Sequence, residues 1–448
     1  MKKGKAFLVQ CRALEERLEP IYHLPKIVRL ENQIRKVAHG ILKDYILSVS
    51  SGATPSMNQI SKYYSDAENG IPFLRVQNLS VSGELVLDNV KYINIETHEN
   101  LLKRSQVGEN DLLIKITGVG RMAIASVPPK GFIGNTNQHI AVIKTKDRKT
   151  SKALAAYLNT NIAEKLATRR ATGGTRPALD YKALKSIPIV FNEAIAVIMQ
   201  DAYKIKKEKQ DERKKLLASI DAYLLNVLGI ELPKKRKRVM CFETIGETVN
   251  GSRFDPFYHQ KEFDFYKNPT SNYPVIKIKD ISKSIQTGLP IRKDFRVKNG
   301  QYPYFGANGI IGYMQKYTHD GKYLIVAQDG YIGNHYVING KFWASNHNWV
   351  LKLDETKVNF DYLKYILDIT NYKYLVTGGV IPKLTKSSLK KIKIPLPPLS
   401  EQEKIASHIS SLREQAKLLQ AAASKALEEA KAEVEKMILG KSKEKDNG

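Results

Sequence analysis

The sequence predicts an α+β protein made of two similar mixed α/β domains, which are related by pseudo-two-fold symmetry and joined by two long helices that form an antiparallel coiled coil. Three observations support this fold class. One ordered set of landmarks occurs twice, more than 200 residues apart. Short apolar runs between glycine and asparagine turns predict strands in each copy, and a long helical segment follows each copy. A period of this length indicates a duplicated domain, because solenoid repeats are only about 20–50 residues long.

The duplication is clearest in two pairs of segments. ILKDYILSVSSG, which ends at Gly52, corresponds to KIKDISKSIQTG, which ends at Gly288, at an offset of 236 residues. TGGTRPAL, which begins at Thr172, corresponds to TGGVIPKL, which begins at Thr377, at an offset of 205 residues. The loops between the landmarks differ, since LRVQNLSVSG in the first copy stands where the second copy has FGANGIIGY. Equal scaffolds with unequal loops predict two different half-sites in an asymmetric, split target.

The C-terminal part of the chain predicts the second long helix. Its entry, IPLPP at Ile394–Pro398, keeps the backbone extended, and Ser400 with Glu403 forms a capping box. No proline or glycine follows until Gly440, so the helix is predicted to run for about 40 residues. Its apolar residues recur at steps of four and three, as in a heptad seam, with Glu433 as the one break. The predicted seam is Ile405, Ile409, Leu412, Ala416, Leu419, Ala423, Ala426, Ala430 and Met437.

The first long helix is predicted over Asn192 to Val227. Both of its ends are apolar, but its centre reads KKEKQDERKK and is expected to stay in solvent. Antiparallel pairing with the second helix would bury both seams and hold the two domains at a fixed separation. The predicted apolar positions are Ile195, Ile198, Ala202, Ile205, Leu217, Ile220, Leu224 and Val227.

These elements divide the chain into six parts. They are a first domain with an N-terminal segment at 1–190, the first long helix at 191–232, a basic linker at 233–243, a second domain at 244–399, the second long helix at 400–441 and a tail at 442–448. The linker contains PKKRKRV, which as a string matches a nuclear localisation signal. We interpret it as a solvated connection that can contact phosphate.

Charge and composition restrict the partner class. The formal net charge is +27, from 72 Lys and Arg residues against 45 Asp and Glu residues. Nucleic acid is the expected partner of such a chain, and an anionic membrane surface is the alternative. No apolar run approaches the roughly 18 residues that suggest a membrane span, and the N terminus lacks the apolar core of a signal peptide. Cys11 and Cys241 lack metal-ligand spacing, so we expect a reducing cytoplasm.

Three short motifs suggest enzymes but lack the context that those enzymes need. DPFY at Asp255–Tyr258 approaches the loop with which amino-methyltransferases hold the target amine, yet no glycine-rich cofactor loop accompanies it. GVGRMA at Gly118–Ala123 matches a dinucleotide fingerprint, but a strand is predicted to follow it where that site needs a helix. Glu212 and Lys214 resemble a nuclease pair, and an exposed helix surface explains them. No catalytic or metal-binding residue is predicted.

Side chains that can pair with base edges recur at turns in both copies. Arg can bridge guanine, Asn or Gln can bridge adenine, and neighbouring glycines let the backbone approach phosphate. The TGG turns are the most specific pair, although a helix C-cap explains them nearly as well. The candidate DNA-binding residues of the first copy are Arg75, Gln77, Asn78, Lys115, Arg121, Asn137, Gln138, His139, Arg169, Arg170, Gly173, Gly174 and Arg176. Those of the second copy are Asn308, Gln328, Asp329, Tyr331, Asn334, His335, Asn346, His347, Asn348, Gly378, Gly379 and Lys383.

Several of these segments are shared with a known family. They are IPLPPLSEQEKIASHI at Ile394–Ile409, NGQYPYFGANGIIGY and IVAQDGYIGN in the second copy, and the paired TGG turns. Over nearly its whole length the chain resembles the specificity subunits of type I restriction-modification systems. The resemblance implies two target-recognition domains, each contacting one part of a bipartite site on double-stranded DNA, and a coiled-coil spacer between them.

The resemblance also implies a division of labour among subunits. This chain would carry no catalytic residue and no cofactor. Methyltransferase subunits, expected in two copies, would bind S-adenosylmethionine and methylate adenine, and a restriction subunit would use ATP and Mg for translocation and cleavage. The implied partner-binding residues are Pro395, Leu396, Pro397, Pro398, Leu399, Glu401 and Gln402.

Two questions stay open at the level of sequence. The first copy has IPIVFNEAIAVI where the second has IPLPPLSEQEKI, so it is undecided whether both long helices bind a partner equally. Two other functions also compete with the one that the resemblance implies. One is a self-contained DNA methyltransferase or nuclease with a fused recognition module, and the other is a helical assembly protein that does not bind DNA.

Overall fold

The protein is α+β, as predicted, in a computed structural model that describes residues 19–230, 264–291, 300–376 and 382–440. The chain forms two compact units: unit 1 comprises Met1–Gln210 and Gln420–Gly448, and unit 2 comprises Asp211–Leu419. The two cysteines, the DPFY motif, the basic linker and the second pair of TGG glycines, Gly378 and Gly379, lie outside the described residues. The finer domain boundaries drawn from the sequence stay a prediction.

The described strands of unit 1 assemble into two sheets. They are β1 (Ser48–Ser51), β2 (Tyr64–Ser65), β3 (Ile71–Leu74), β4 (Lys91–Ile93), β5 (Gln106–Val107), β6 (Leu112–Lys115), β7 (Ala125–Ser126), β8 (Gly134–Thr136) and β9 (Ile140–Lys144). One sheet is antiparallel with the order β1-β9-β6-β7, and the other has the order β2-β4-β3-β8-β5 with β3 parallel to β8. Strands β6 and β9 are apolar and almost entirely buried, which places this sheet at the centre of the core.

Six described helices begin in unit 1, and all of them except α2 contribute to the apolar cluster around the four-stranded sheet. They are α1 (Pro25–Val37), α2 (Ile60–Tyr63), α3 (Arg148–Leu158), α4 (Asn161–Arg170), α5 (Tyr181–Lys185) and the long α6 (Glu193–Leu228). Three helices begin at a side chain that accepts a hydrogen bond from a backbone amide of the first turn: Asp147 for α3, Thr160 for α4 and Asp180 for α5. Such caps satisfy amides that have no partner within the helix. The buried faces of α3 and α4 belong to the same apolar cluster as β6 and β9.

Unit 2 is built from corresponding elements. Its strands are β10 (Val275–Lys277), β11 (Ser282–Thr287), β12 (Tyr302–Gly306), β13 (Gly309–Met314), β14 (Lys322–Ala327), β15 (His335–Asn339), β16 (Trp343–Ala344), β17 (Asn348–Leu353) and β18 (Lys393–Pro395). The remaining helices are α7 (Asp264–Lys267), α8 (Phe360–Ile369), α9 (Lys386–Lys390) and the long α10 (Leu399–Ile438). Three sheets result, with the orders β10-β18, β11-β17-β14-β15 and β13-β12-β16.

The two units share one topology. The order β1-β9-β6-β7 of unit 1 recurs as β11-β17-β14-β15, and the parallel pair β3–β8 recurs as β12–β16. One physical reason explains why both paired landmarks end in glycine. A Cβ atom on Gly52 would lie 1.7 Å from the carbonyl oxygen of Thr136, and one on Gly288 would lie 2.2 Å from that of Ser345. Only glycine permits such an approach of two backbones. The predicted duplication is therefore confirmed at the level of topology.

The long helices α6 and α10 span 36 and 40 residues. In unit 1 the start of α6 shares a buried cluster with the end of α10, and in unit 2 the end of α6 shares one with the start of α10. The rings of Tyr223 and His408 are 4.2 Å apart in the second of these contacts. The helices therefore pair antiparallel, as predicted. No helix among the described residues is long and apolar enough to cross a lipid bilayer.

The predicted seams are wrong in detail near the helix ends. In α10 the buried positions are Val434 and Ile438, both 0% exposed, in place of Glu433 and Met437. A straight helix has 3.6 residues per turn, so a strict seven-residue count drifts around its surface and extra steps of four restore the seam. In α6, Ile205 is 40% exposed, whereas the polar centre stays in solvent as predicted.

Candidate nucleic-acid interface

Four loops of unit 1 lie at one end of its four-stranded sheet, and we call them the unit 1 loop cluster. Strands β1 and β6 end at this edge and the antiparallel strand β9 begins there. The loops are Gly52–Thr54 after β1, Thr117–Arg121 after β6, Asn137–His139 after β8 and the TGG turn Thr172–Ala178 after α4.

Backbone hydrogen bonds hold these loops against one another. The amide of Gly118 donates to the carbonyl of Pro177 over 3.0 Å, which joins the loop after β6 to the TGG turn. The amide of Ile116 donates to the carbonyl of His139 over 3.0 Å, which joins the loop after β8 to the same strand end. Segments far apart in the sequence thus form one surface.

Unit 2 has a loop cluster in the corresponding place. The amide of Gly288 donates to the carbonyl of Asn348 over 3.0 Å, and that of Gln328 to His347 over 2.9 Å. Leu384, just after the second TGG segment, donates to Gln328 over 2.7 Å. The unit 2 loop cluster is Gly288–Leu289, Gln328–Gly333, Ser345–His347 and Pro382–Lys383, with the β12–β13 hairpin beside it through a 3.2 Å contact from Asn334 to Asn308.

Part of the predicted DNA-binding set is exposed or partly exposed around these clusters. In unit 1 these residues are Gln77, Gln138, His139, Gly173, Gly174 and Arg176. In unit 2 they are Asn308, Asp329, Tyr331, Asn334, Asn346, His347 and Lys383. Two of these side chains are oriented by a neighbour: the hydroxyl of Thr54 donates to Gln138 over 2.7 Å, and His347 lies 2.7 Å from the carboxylate of Asp329. Their contact with DNA stays a prediction.

The rest of the predicted unit 1 set is held inside the unit. Asn78 and Asn137 are buried and bonded to backbone groups, and the half-buried Arg75 donates to a backbone carbonyl. Lys115 is 4% exposed, and its Nζ donates to the carbonyl of Val119 over 2.7 Å. Arg121 donates to two carbonyls of the α3–α4 connection over 2.5 and 2.7 Å. The hydrogen bonds of these side chains to the backbone hold the loops in place.

Three predicted residues of unit 2 are also held by internal bonds. The side chain of Gln328 donates to the backbone carbonyl of Asn346, and Asn348 donates to that of Phe305 over 3.1 Å. The imidazole of His335 is 6% exposed and lies 3.0 Å from a carboxylate oxygen of Asp368. Their geometry shapes the loops and leaves little surface for a ligand.

Arg169 and Arg170 converge on the buried carboxylate of Glu31. Arg170 contacts both oxygens, over 2.5 and 3.0 Å, and Arg169 also contacts the carboxylate. Burial alone would raise the pKa of Glu31, but the hydrogen bonds and charge of Arg170 and then Arg169 outweigh it and lower the pKa from 4.5 to about 2. This ion cluster ties α1 to α4, a role for which the sequence contained no signal beyond an isolated acid in an amphipathic helix.

The predicted partner-binding segment is largely engaged within unit 2. Pro395 and Pro397 are buried, and Gln402 is 0% exposed. The side-chain Nε2 of Gln402 donates to the carbonyls of Pro397 and Lys357 over 2.8 and 2.9 Å, and its Oε1 accepts from the backbone amide of Asn359 over 2.8 Å. Gln402 thereby fixes the start of α10 to the loop before α8. The exposed or partly exposed members of the predicted segment are Leu396, Pro398, Leu399 and Glu401.

A polar cleft of about 650 Å³ lies beside this segment in unit 2. It is formed by α8 and the first turns of α10, and its lining includes the carboxylates of Asp361, Glu403 and Glu414 with the hydroxyls of Ser407 and Ser410. An acidic cleft is notable in a chain whose net charge is +27. It is suited to a positively charged partner surface.

Neither a dinucleotide site nor a metal centre is present in the part of the chain that the structure describes. The GVGRMA motif forms a loop that leads into strand β7, whereas a dinucleotide site needs a helix N-terminus there. No group of three or more His, Cys, Asp or Glu side chains in the described ranges could hold a metal ion.

Comparison with known proteins gives consistent matches. A model of the type I restriction modification DNA specificity domain matches residues 270–429. A putative type I restriction enzyme specificity subunit of Haemophilus influenzae is 39% identical over 127 residues, which are 28% of this chain and 32% of that protein. A putative type I specificity subunit of Mycoplasma pneumoniae is 30% identical over 165 residues, which are 33% of this chain and 69% of that protein.

The matched lengths and the fold add two facts. The chain spans 32% and 41% of the lengths of the first two curated relatives, from Haemophilus influenzae and Mycoplasma pneumoniae. A solved structure, described as showing complex assembly and conformational transition of the type I restriction-modification system, superposes with a TM-score of 0.54 at 15% identity. It covers 90% of this chain and 98% of that one, so the fold is shared over nearly the whole length.

Proposed function

Because the chain belongs to the family of type I restriction-modification specificity subunits, we propose that it recognises an asymmetric bipartite site on double-stranded DNA and directs methyltransferase and restriction subunits to it. The observation that carries the proposal is the repeated topology with unequal loop clusters. One scaffold is used twice, but the exposed side chains are Gln138, His139 and Arg176 in unit 1 and a set rich in asparagine in unit 2. Each unit would read its own half of the site.

The charge of the chain supports DNA as the ligand. A net charge of +27 favours a polyanion, and the arginine and amide side chains of the loop clusters can bridge base edges in the major groove. Backbone contacts to phosphate would come from the TGG turn, where Gly173 and Gly174 are exposed. Affinity should then fall steeply with salt, because each neutralised phosphate releases bound counterions.

In this proposal the chain is not itself an enzyme. S-adenosylmethionine, ATP and Mg²⁺ would be bound by the partner subunits, where methylation and cleavage would occur. The contact with the methyltransferase would use the acidic cleft between α8 and α10, with Glu403 and Glu414 facing lysine or arginine side chains of that subunit. Gln402 would act through α10 by keeping the cleft in shape.

Exchange of one unit tests the proposal. Residues 44–190 would be replaced by those of a related specificity subunit, and the hybrid would be expressed with the methyltransferase partner in a host that lacks other methylation. Sequencing of methylated bases should show a change in only one half of the recognised site. The matched control is the reciprocal exchange of residues 244–399, which should change only the other half. A change in both halves, or no methylated motif with the unaltered chain, would overturn the proposal.

A further inference from the structure

In each loop cluster, one loop between corresponding strands exposes a large apolar or aromatic side chain at its tip. In unit 1 it is Val119, in the loop between β6 and β7, with 75% of its surface exposed. In unit 2 it is Tyr331, in the corresponding loop between β14 and β15, with 57% exposed. A single exposed apolar residue is ordinary. The same feature at the same place in two units with different loop sequences indicates a shared role.

The unit 1 tip is held rigidly. The carbonyl of Val119 accepts a hydrogen bond from the buried ammonium group of Lys115 over 2.7 Å. The amide of the preceding residue, Gly118, donates to the carbonyl of Pro177 over 3.0 Å. Gly118 and Gly120 on either side adopt φ values of 119° and 84°, which side chains other than glycine rarely allow. One buried lysine and two glycines thus hold the loop in a conformation that exposes Val119 to solvent.

The unit 2 tip is held by different bonds to the same effect. The amide of Asn334 donates to the carbonyl of Tyr331 over 3.0 Å, and the amide of Ala327 donates to Asn334 over 2.7 Å, so the loop closes at its base. Gly330 and Gly333 flank the tip with φ values of 67° and 86°. Both loops therefore have a glycine on each side of an exposed apolar residue. Neither tip needs to be ordered on binding, which lowers the entropic cost of a contact.

We propose that Val119 and Tyr331 are specificity-determining residues that each contact the 5-methyl group of a thymine in the major groove, one in each half of the DNA site. The inference rests on the proposed function and adds to it the chemical feature that is read. The thymine methyl is the apolar group that base edges present in that groove. In unit 1 the neighbouring exposed side chains Gln138 and Arg176 are hydrogen-bonding groups, so the apolar Val119 among them matches a methyl. In unit 2 the exposed ring of Tyr331 offers an apolar face for the same contact.

Insertion between base pairs explains the unit 1 tip less well. Side chains that open a base step are long or bulky wedges such as Phe, Leu, Ile or Met. Val119 has a short side chain, and the bond from Lys115 to its carbonyl keeps the backbone from advancing into the stack. Direct contact with a methyl group at the surface of the groove requires neither a long side chain nor a movement of the backbone.

Uracil substitution tests the inference with the complex of this chain and its methyltransferase. The recognised site is first found by sequencing methylated bases, and duplexes are then made in which each thymine of the site is replaced in turn by deoxyuridine, which lacks the methyl. The unaltered complex should bind one duplex per half-site about four- to tenfold more weakly, the effect of removing one buried methyl. Val119→Ala should weaken binding to the thymine duplex by a similar factor and remove the sensitivity to that uracil.

The control and the remaining outcomes separate this inference from the proposed function. Leu47→Ala removes an apolar side chain that is 72% exposed at the opposite end of β1, and it should leave binding and uracil sensitivity unchanged. Tyr331→Ala should abolish sensitivity at a thymine of the other half-site only. If a site is recognised but no thymine couples to Val119 or Tyr331, or if Val119→Ala weakens every duplex equally, the inference is overturned and the proposed function stands. If no site is recognised, both fail.

Discussion

Replacing Glu31 by glutamine tests whether Arg169 and Arg170 belong to the fold of unit 1 and not to the DNA surface that we propose for it. The side chain of Glu31 is 2% exposed, and it pairs with the buried guanidinium groups of Arg169 and Arg170 and with the more exposed one of Arg35. Its pKa falls from 4.5 in the unfolded chain to about 2 in the folded one. Since one pKa unit corresponds to about 1.4 kcal/mol, the ionised carboxylate contributes about 3 kcal/mol to stability at neutral pH. Removing one partner of a buried pair costs a similar amount, about 3–5 kcal/mol.

The pH dependence has a definite sign. Because the pKa is lower in the folded state, the stabilisation is fully present above pH 4.5 and is lost as the pH falls towards 2. Urea denaturation followed by circular dichroism should therefore show a difference of about 3 kcal/mol between the parent and Glu31→Gln at pH 7, narrowing below pH 4.5. Hydrogen exchange should locate the loss in α1 and α4.

The matched control is Glu428→Gln on the same unit. The side chain of Glu428 is 71% exposed and pairs with Lys431, three residues along α10, over 2.9 Å. Exposed pairs of this kind contribute about 0.5 kcal/mol or less. Equal effects of the two substitutions, or a difference for Glu31→Gln that grows in acid, would refute the assignment of Arg169 and Arg170 to a buried ion cluster.

Two further variants test separately whether the start of α10 stabilises unit 2 and whether it binds the methyltransferase subunit. Gln402→Leu should lower the stability of unit 2 by about 1–3 kcal/mol, because the carbonyls of Pro397 and Lys357 lose a donor. Tryptophan fluorescence reports this change, since both tryptophans are in unit 2. The double substitution Glu403→Lys with Glu414→Lys should leave stability within about 0.5 kcal/mol but reduce co-purification of the methyltransferase subunit.

Each of these predictions has its own control. Gln415→Leu changes an exposed glutamine of the same helix and should not alter the fluorescence transition. Glu428→Lys and Glu433→Lys, made together in unit 1, change the charge equally but lie outside the cleft, so co-purification should persist. An unchanged transition for Gln402→Leu, or full co-purification after charge reversal in the cleft, would contradict the roles proposed for these residues.

Much of the fold was predictable because the repeat is visible in local sequence patterns. The strands after Ser48 and Ser282 end at glycines that no other residue can replace, so the landmarks survive in both copies. The two long helices were predicted from their periodicity and caps, and their antiparallel pairing from the need to bury two apolar seams. Beyond Ala423 the buried positions include Leu427, Val434 and Ile438, which counting heptads did not predict, because a straight helix has 3.6 residues per turn and a strict seven-residue count drifts from the buried face.

The candidate site was predictable as a set of loops but not residue by residue. Arg169 and Arg176 look alike in the sequence, yet Arg169 is buried on Glu31 and Arg176 is exposed. Val119 was missed because an apolar residue between two glycines carries no hydrogen-bonding group. Comparing GVG of the first copy with GYIG of the second, once the strands are matched, would have found it.

The sequence by itself determined the duplication, the fold class and the long helices, and it predicted a polyanionic partner, because periodicity, glycine spacing and net charge do not depend on distant contacts. The tertiary structure alone decided which polar side chains are available to a ligand. Burial of a charged or amide group depends on partners such as Glu31 or Asp368 that are distant in the sequence, so no local pattern separates a residue that shapes a loop from one that is exposed to a ligand.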